Sequence, residues 1–211
     1  VKVPLLNAEE VKDIKHYLLD QTPLEEMTKQ YGFTSAVWIS KSDTKAHLDA
    51  KVRSIVHAKL STILEDYKAL IYSAIGKGIG EKSELSLHQD WSVVDEEKEY
   101  SLSLWIPLSD STLENGAIHF LEGSHKTHPS IRCGSVSHEY GDPETIINQM
   151  NCVEVKAGEA LIFYSRILHY TPNNYSNQMR FAVISCLVSE TAEIVQYYKV
   201  SDTQLEVYKM E

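Results

Sequence analysis

The feature of this sequence that most restricts its fold is a series of short apolar runs that fills the chain from Leu70 onward. These runs are rich in β-branched and aromatic residues, which favour strands. Turn signals such as Asn115-Gly116 and Ala157-Gly158 separate them. They read LIYSAI, LSLHQD, YSLSLWIPL, GAIHFLEG, NCVEVKAGEALIFY, ILHYT and RFAVISCLV. Seven or eight short strands without intervening helices predict an antiparallel sandwich or jelly roll.

The first third of the chain has a helical pattern instead. Asn7 and Glu10 occupy the two positions of a capping box, and apolar residues follow at helical spacing. A longer amphipathic pattern from Lys45 to Tyr67 predicts a helix that packs on the sheet. The predicted fold class is mainly β with N-terminal helices, a double-stranded β-helix or cupin-like jelly roll. We expect one domain that consists of a helical region at 1–68, a jelly-roll core at 69–190 and a C-terminal extension at 191–211.

Composition and charge restrict the partners and the compartment. The chain has 30 acidic and 20 basic residues and a net charge of −10, whereas a nucleic-acid or anionic-membrane partner requires a basic patch. Its three cysteines are far apart and form no CxxC pair, which is typical of reduced intracellular thiols. The sequence shows no signal peptide and no run long enough to span a membrane. These features predict a cytoplasmic protein with a small-molecule partner.

An HxD motif lies in the run LSLHQDWS at residues 85–92. Apolar and polar residues alternate up to the motif, which predicts a half-buried strand. Side chains two positions apart on a strand point the same way, so His88 and Asp90 share a face, roughly 7 Å apart at their Cα atoms. Taken alone, the pair is more typical of a histidine that a carboxylate orients through a hydrogen bond.

Two later residues add a third metal ligand and an anion-binding arginine to this motif. His169 ends an apolar strand before a proline-bearing turn, and Arg180 begins the next strand, so a jelly roll can bring both to the HxD motif. Two imidazoles and one carboxylate form the facial triad that suits non-heme Fe(II) and leaves positions for a chelating cosubstrate and O₂. A keto acid with a second carboxylate gives the Arg180 guanidinium an anion to bind.

From Ala69 to Val188 the sequence resembles the phytanoyl-CoA dioxygenase family of Fe(II)/2-oxoglutarate-dependent oxygenases. The resemblance rests on three segments and their order, SELSLHQDW, SLSLWIPLSDSTLENGAIHFLEGSH and VKAGEALIFYSRILHYTPNNYSNQMRFAV. One departure is Glu122, where the family usually has a proline before GSH. This departure concerns a turn and leaves the site residues intact.

The resemblance implies iron ligands, cosubstrate contacts and a reaction. The implied iron ligands are His88, Asp90 and His169, and the implied 2-oxoglutarate contacts are Arg180, Thr171 and Trp105. Arg180 matches the arginine that binds the C5 carboxylate. The implied reaction uses Fe(II), O₂ and 2-oxoglutarate, releases succinate and CO₂, and most simply hydroxylates a small-molecule substrate.

Four further residues are candidate cosubstrate or substrate contacts. Tyr72 and Lys77 lie on and after the strand that precedes the HxD motif, Trp91 follows the motif, and His125 belongs to the GSH sequence. The polar stretch from Glu122 to Asn151 is long for a loop in a compact domain. We predict that it forms a substrate lid with its tip at 135–139. The other loop histidines are expected to be solvated.

Other functions are compatible with parts of the pattern. A halogenase of this fold replaces the carboxylate ligand with a small residue, so Asp90 argues against that activity. A metal-binding cupin that acts as an isomerase or a non-catalytic binder usually offers three histidines and a glutamate, a spacing that this sequence does not match. A pseudo-enzyme that binds 2-oxoglutarate as a sensor stays open, because binding and turnover use the same residues. The sequence predicts neither the substrate nor the oligomeric state.

Overall fold

A computed structural model describes residues 1–127, 131–133, 140–201 and 204–210. Its helices are α1 (Ala8–Gln21), α2 (Leu24–Tyr31), α3 (Ser42–Leu60), α4 (Ser124–Thr127) and α5 (Pro143–Ile147), and a 3-10 turn covers Ala36–Trp38. Its strands are β1 (Lys2–Pro4), β2 (Phe33–Ser35), β3 (Tyr67–Lys77), β4 (Leu85–His88), β5 (Leu102–Pro107), β6 (Ile118–Phe120), β7 (Asn151–Val153), β8 (Glu159–Tyr164), β9 (His169–Thr171), β10 (Arg180–Ser189), β11 (Val195–Ser201) and β12 (Gln204–Lys209). Within this described part of the chain, each helix is too short or too polar to cross a bilayer.

Two antiparallel sheets form the jelly roll. The larger has the strand order β1-β8-β5-β10-β3-β2, and the smaller has the order β4-β9-β6-β7. Apolar side chains from both sheets pack together between them, among them Trp105, Leu161 and Ala182 of the larger sheet and Ile118 and Phe120 of the smaller. The predicted fold class, mainly β with N-terminal helices in a jelly roll, is confirmed.

The N-terminal helices pack on the outer face of the larger sheet. Their buried residues, such as Ile14, Leu18 and Val52, join one core with Leu104 and Val183 of the central strands. The sheet therefore separates a helix-facing core from the interior of the jelly roll. This separation decides which side chains of a strand can reach a site between the sheets, because successive side chains alternate between the two faces.

The predicted helix starts and stops are only partly correct. The capping box at Asn7 is present, since its side chain accepts from Glu10 N at 3.0 Å and the Glu10 carboxylate accepts from Asn7 N at 2.9 Å. The end of α3 was predicted at Tyr67, which is wrong, because the helix ends at Leu60. The hydroxyl of Thr62 donates to a helix carbonyl at 2.7 Å, and Asp66 adopts a left-handed φ of 59° that turns the chain into β3.

The terminal regions contribute strands that the pattern did not predict. Within the first 68 residues, β1 pairs with β8 and β2 pairs with β3. At the other end, β11 and β12 form a hairpin, and Val195 and Tyr197 of β11 are buried together with Cys133. Three-residue strands such as β1 and β2 are too short to show a periodic pattern.

Side chains of α3 cover the part of β3 that β2 leaves open. β2 pairs only with residues 75–77 of β3. Farther along, the Asp49 carboxylate accepts from Tyr72 N at 2.7 Å, and the Arg53 guanidinium donates to Ala69 O at 3.4 Å. Asp49 and Arg53 also pair with each other at 2.9 Å, and the guanidinium lies 5.0 Å from the Tyr72 ring. Helix α3 therefore hydrogen-bonds to β3 as a neighbouring strand does.

We expect Asp49→Ala to lower the free energy of unfolding by about 1–3 kcal/mol, because the Tyr72 N–H loses its acceptor in a partly buried position. Denaturant unfolding of the wild type and the variant measures this loss. Asp43→Ala is the matched control, since Asp43 lies exposed in the first turn of the same helix. Equal losses in the two variants would show that the contact with β3 contributes nothing.

Candidate metal centre

The pairing of β4 with β9 brings the two predicted histidine ligands together. His88 lies opposite His169 in the register of these strands, and the imidazole centroids are 4.1 Å apart. Asp90 follows two residues later, and its Oδ1 lies 3.8 Å from Nε2 of both histidines. One potential ligand atom from each of the three residues lies within 4.8 Å of the other two. The three side chains predicted to bind a metal therefore converge.

Backbone hydrogen bonds orient both imidazoles toward Asp90. His88 Nδ1 lies 2.7 Å from Ser86 O, and His169 Nδ1 lies 3.0 Å from Ile167 O. A carbonyl can only accept, so each Nδ1 carries the proton and each Nε2 presents a lone pair. Burial and, secondly, the neighbouring His169 lower the pKa of His88 to about 4, so this ring is neutral near pH 7.

Two serines hold the carboxylate of the triad. Ser103 donates to Asp90 Oδ2, and the Ser103 and Ser165 hydroxyls are 3.1 Å apart. The Asp90 backbone N–H donates to Ser165 O at 3.0 Å. These contacts engage Oδ2 and the backbone, so Oδ1 is left to face the imidazoles.

The donor set fits a divalent transition metal. Two imidazole nitrogens and one carboxylate oxygen lie on one side, and the Asp90 and His88 side chains, 38% and 30% exposed, form the open side. His169 is buried, and the Phe163 ring lies 5.2 Å from its imidazole. A 2-His-1-carboxylate set with open positions is the arrangement that suits non-heme Fe(II).

A buried ion pair that the sequence did not reveal supports the segment around Asp90. Arg132 is 1% exposed, and its guanidinium makes two 2.5 Å hydrogen bonds to the Glu96 carboxylate. Arg132 Nε donates to Asp90 O at 2.8 Å, while its backbone N donates to Ser92 Oγ at 3.1 Å. The long loop is thereby attached to the residues that carry the Asp90 ligand.

Two buried basic residues, Arg180 and Lys77, lie next to each other inside the jelly roll. Arg180 lies 5.1 Å from the Trp105 ring and donates to Gly116 O at 2.8 Å, and burial lowers its pKa to about 10. Lys77 lies opposite Arg180 in the strand register and donates to Pro172 O at 2.7 Å. Burial and, secondly, the Arg180 charge lower the pKa of Lys77 to about 7. No carboxylate of the described residues forms an ion pair with either cation.

The remaining residues predicted to contact the cosubstrate or substrate lie in different parts of the fold. Thr171 is buried two residues after His169, and its hydroxyl has no hydrogen-bond partner among the described residues. Tyr72 lies on the opposite, helix-facing side of the larger sheet, because it belongs to the core under α3. Trp91 is exposed, and His125 stacks on Tyr164 with ring centroids 5.2 Å apart.

The predicted lid is described only in part. Helices α4 and α5 and residues 131–133 belong to the stretch from Glu122 to Asn151. The predicted lid tip at 135–139, with His138, and the loop residue His128 lie outside the described residues.

Comparison with known proteins places these features in a family context. The sequence model of the family described as phytanoyl-CoA dioxygenase (PhyH) matches residues 8–182. A phytanoyl-CoA dioxygenase of Arabidopsis thaliana is 34% identical over 109 residues, and phytanoyl-CoA dioxygenase domain-containing protein 1 of Mus musculus is 30% identical over 108 residues. The matches cover 50% and 47% of this chain but 38% and 37% of the relatives, so the chain spans less than two fifths of their length.

Solved structures of enzymes share the fold. The non-heme alpha ketoglutarate dependent carbocyclase SnoK from nogalamycin biosynthesis matches with a TM-score of 0.62 and 17% identity, over 92% of this chain and 81% of that chain. The epimerase SnoN, in complex with Fe3+, alpha ketoglutarate and nogalamycin RO, matches with a TM-score of 0.60 and 20% identity, over 92% and 80%. The non-heme monooxygenase ThoJ matches with a TM-score of 0.61 and 14% identity, over 100% and 80%. At these identities the similarity establishes the fold alone.

We expect Arg132→Ala to lower the free energy of unfolding by about 3–5 kcal/mol, because it leaves the Glu96 carboxylate without its main buried partner. Thermal or denaturant unfolding measures the change. Lys98→Ala removes a partner from the exposed pair with Asp95 and serves as the control, for which we expect no measurable change. A similar, small effect of both substitutions would contradict a structural role for the Arg132–Glu96 pair.

Proposed function

Because the chain belongs to the phytanoyl-CoA dioxygenase family, we propose that it is an Fe(II)- and 2-oxoglutarate-dependent oxygenase that hydroxylates a small molecule and releases succinate and CO₂. The observation that carries this proposal is the position of the two cations relative to the triad. Lys77 Nζ lies 3.5 Å from Thr171 O, on the strand that begins with His169. The metal-binding side chains and the two buried basic residues thus lie at the two ends of β9, a strand of three residues.

His88, Asp90 and His169 would hold the metal, since their ligand atoms converge and both imidazoles are oriented by backbone carbonyls. When bound, Fe(II) together with the keto acid activates O₂ for oxidation of a C–H bond. The open side of the triad leaves room for a bidentate cosubstrate and for O₂. Ser103 keeps the Asp90 carboxylate in place through its other oxygen.

Arg180 would bind the distal C5 carboxylate of 2-oxoglutarate. Its guanidinium is buried, has no acidic partner among the described residues and rests on the Trp105 ring. An arginine in such a position forms strong charge-assisted hydrogen bonds with a carboxylate. The Thr171 hydroxyl has no partner among the described residues and lies two residues after His169, so it is available for a further hydrogen bond to the cosubstrate. Trp105, Phe120 and Phe163 would exclude water from the site.

Hydroxylation is the simplest outcome, and product analysis distinguishes it from others. The structural neighbours named as a carbocyclase and an epimerase indicate which alternatives to test. A hydroxylated product gains one oxygen atom, a new ring loses two hydrogen atoms, and an epimer keeps the mass of the substrate. Mass spectrometry of a metabolite screen therefore separates the three reactions in one experiment.

We expect purified protein with Fe(II), O₂ and 2-oxoglutarate to form succinate, and His88→Ala or His169→Ala to abolish both succinate formation and stoichiometric metal binding. The reason is that each substitution removes one of the two imidazole ligands of the triad. Metal content and succinate are measured in parallel. His16→Ala, at an exposed position of α1, is the control and should change neither. Near wild-type metal binding in the triad variants would refute the ligand assignment, and 2-oxoglutarate binding without succinate would favour the sensor alternative.

We expect Arg180→Met to weaken 2-oxoglutarate binding roughly 100-fold, because the C5 carboxylate loses its buried partner. Calorimetry under anaerobic conditions measures the dissociation constant, and Fe(II) binding without 2-oxoglutarate should stay unchanged. An unchanged 2-oxoglutarate affinity would place the anchor elsewhere.

The pH dependence of 2-oxoglutarate affinity, measured in the same assay, tests the role of Lys77. The Lys77 ammonium, with a pKa of about 7, loses its proton as pH rises, whereas Arg180, with a pKa of about 10, keeps its charge. Affinity for 2-oxoglutarate should therefore decrease from neutral toward alkaline pH. Lys77→Met should remove this pH dependence, and a flat profile in the wild type would exclude Lys77 from the cosubstrate site.

A further inference from the structure

A pocket, here termed the rim pocket, opens beside the segment that carries Asp90. It has a volume of about 350 Å³ and is lined by Tyr100, His125, Lys126, Tyr164 and Arg166. Its position follows from Arg166, whose backbone carbonyl accepts a hydrogen bond from the side chain of Gln89, the residue before Asp90. Ser165, the residue before Arg166, accepts the backbone N–H of Asp90 at 3.0 Å. The wall of the rim pocket that contains Arg166 is therefore joined by hydrogen bonds to the metal-ligand segment.

One buried polar atom of the rim pocket lacks a partner among the described residues. His125 Nδ1 is buried and makes no hydrogen bond within this part of the chain. Arg166 Nε makes no hydrogen bond either, but it contacts Glu96 Oε2 at 3.3 Å as an ion pair, and that oxygen also accepts a 2.5 Å hydrogen bond from Arg132. Buried polar atoms without partners are rare in proteins, so His125 Nδ1 points to a ligand in the pocket.

The charge of the rim pocket is opposite to that of the whole chain. The chain carries a net charge of −10, yet the pocket lining contains Lys126 and Arg166 and no carboxylate. Lys126 is exposed and forms no ion pair with any residue in the described ranges. Glu96, the acid in contact with Arg166, is shared with Arg132. A local excess of positive charge in an acidic protein favours an anionic ligand.

Aromatic rings form the remaining walls of the rim pocket. The Tyr100 and Tyr164 rings meet edge to face with centroids 5.5 Å apart, and His125 stacks on Tyr164 at an interplanar angle of 20°. Both tyrosines are largely exposed, so their faces are available to a planar or apolar group. Such rings give a ligand body packing area, while the cations fix its anionic end.

We propose that the rim pocket binds the anionic end of the substrate, a carboxylate or phosphate carried on a planar, ring-bearing body. Lys126 and Arg166 pair with the anion, His125 donates to one of its oxygens, and the two tyrosines contact the ring. The pocket positions the substrate at the triad and takes no part in bond making. As a substrate site the rim pocket rests on the proposed oxygenase function, but its binding properties can be measured independently of turnover.

The test uses anaerobic calorimetry on the protein loaded with Fe(II) and 2-oxoglutarate. The probes are phenyl phosphate, benzoate, benzyl alcohol, benzylamine and inorganic phosphate. We expect phenyl phosphate and benzoate to bind, and the one that binds more tightly identifies the preferred anion. The neutral, cationic and ring-free probes should bind at least about tenfold more weakly, because each lacks either a charge-assisted contact or the ring. Equal binding of benzylamine and benzoate would overturn the proposal.

Substitutions assign the binding to the rim pocket. Lys126→Glu reverses a charge in the lining and should weaken benzoate and phenyl phosphate roughly tenfold, whereas Lys12→Glu, at an exposed position of α1, should not. His125→Phe keeps a ring on Tyr164 but removes Nδ1, so it should weaken the anions and spare benzyl alcohol. Equal effects of the Lys126 and Lys12 variants would assign the binding to overall charge and refute the site. Circular dichroism confirms that each variant is folded.

The outcomes separate this proposal from the oxygenase function. If 2-oxoglutarate is converted to succinate but the anionic ring probes do not bind, the rim pocket assignment is wrong and the oxygenase function stands. If the probes bind with the expected pattern but no succinate forms under any condition, the rim pocket is an anion site and the oxygenase function is wrong.

Discussion

The candidate site depends on the register between β4 and β9. His88 lies opposite His169 in this pairing, so their imidazoles meet on one face. A shift of one residue along either strand would turn one imidazole to the other face, because side chains alternate along a strand. Each ring is then fixed by a hydrogen bond to the carbonyl two residues earlier in the chain, in β4 for His88 and just before β9 for His169. The orientation of each histidine is therefore produced locally by the backbone next to it.

Two buried basic residues lie near this register. Arg180 and Lys77 are buried together and form no ion pair with a described carboxylate, an arrangement that costs free energy because like charges lose solvation and repel each other. An anion that binds between them would remove part of this cost. Such a ligand would also stabilise the folded protein, since it binds the folded chain and not the unfolded one.

Much of the arrangement could be predicted from the sequence because it follows strand order and alternation. The meeting of His88 and His169 needs only a strand that carries the HxD motif and a late strand beside it in a jelly roll. The motif predicts Asp90 on the same strand as His88, but β4 ends at His88, and the hydrogen bond from Asp90 N to Ser165 O positions the carboxylate instead. Alternation also distinguishes Tyr72 from Lys77: they are five residues apart on β3, so their side chains point to opposite faces, and only Lys77 reaches the interior. That inference was available from the sequence once β3 was treated as one continuous strand.

Other features could not be predicted because they depend on pairs with no local pattern. Arg132 stands in a polar loop, and nothing nearby in the sequence indicates that Glu96 is its buried partner. Likewise, the strands β1 and β2 are three residues long and are defined by the strands that they join. The rim pocket combines residues from three separated segments, so it becomes visible only after the chain has folded.

The short outer strands of the larger sheet have a consequence for contacts between molecules. An open sheet edge is a template on which a strand of another chain can add. Here both outer strands, β1 and β2, are three residues long, and Asp49 and Arg53 occupy backbone groups of β3 beyond the end of β2. A foreign strand therefore finds few free hydrogen-bonding groups along either edge of this sheet. The helix-covered side of the molecule is in this way protected against edge-to-edge aggregation.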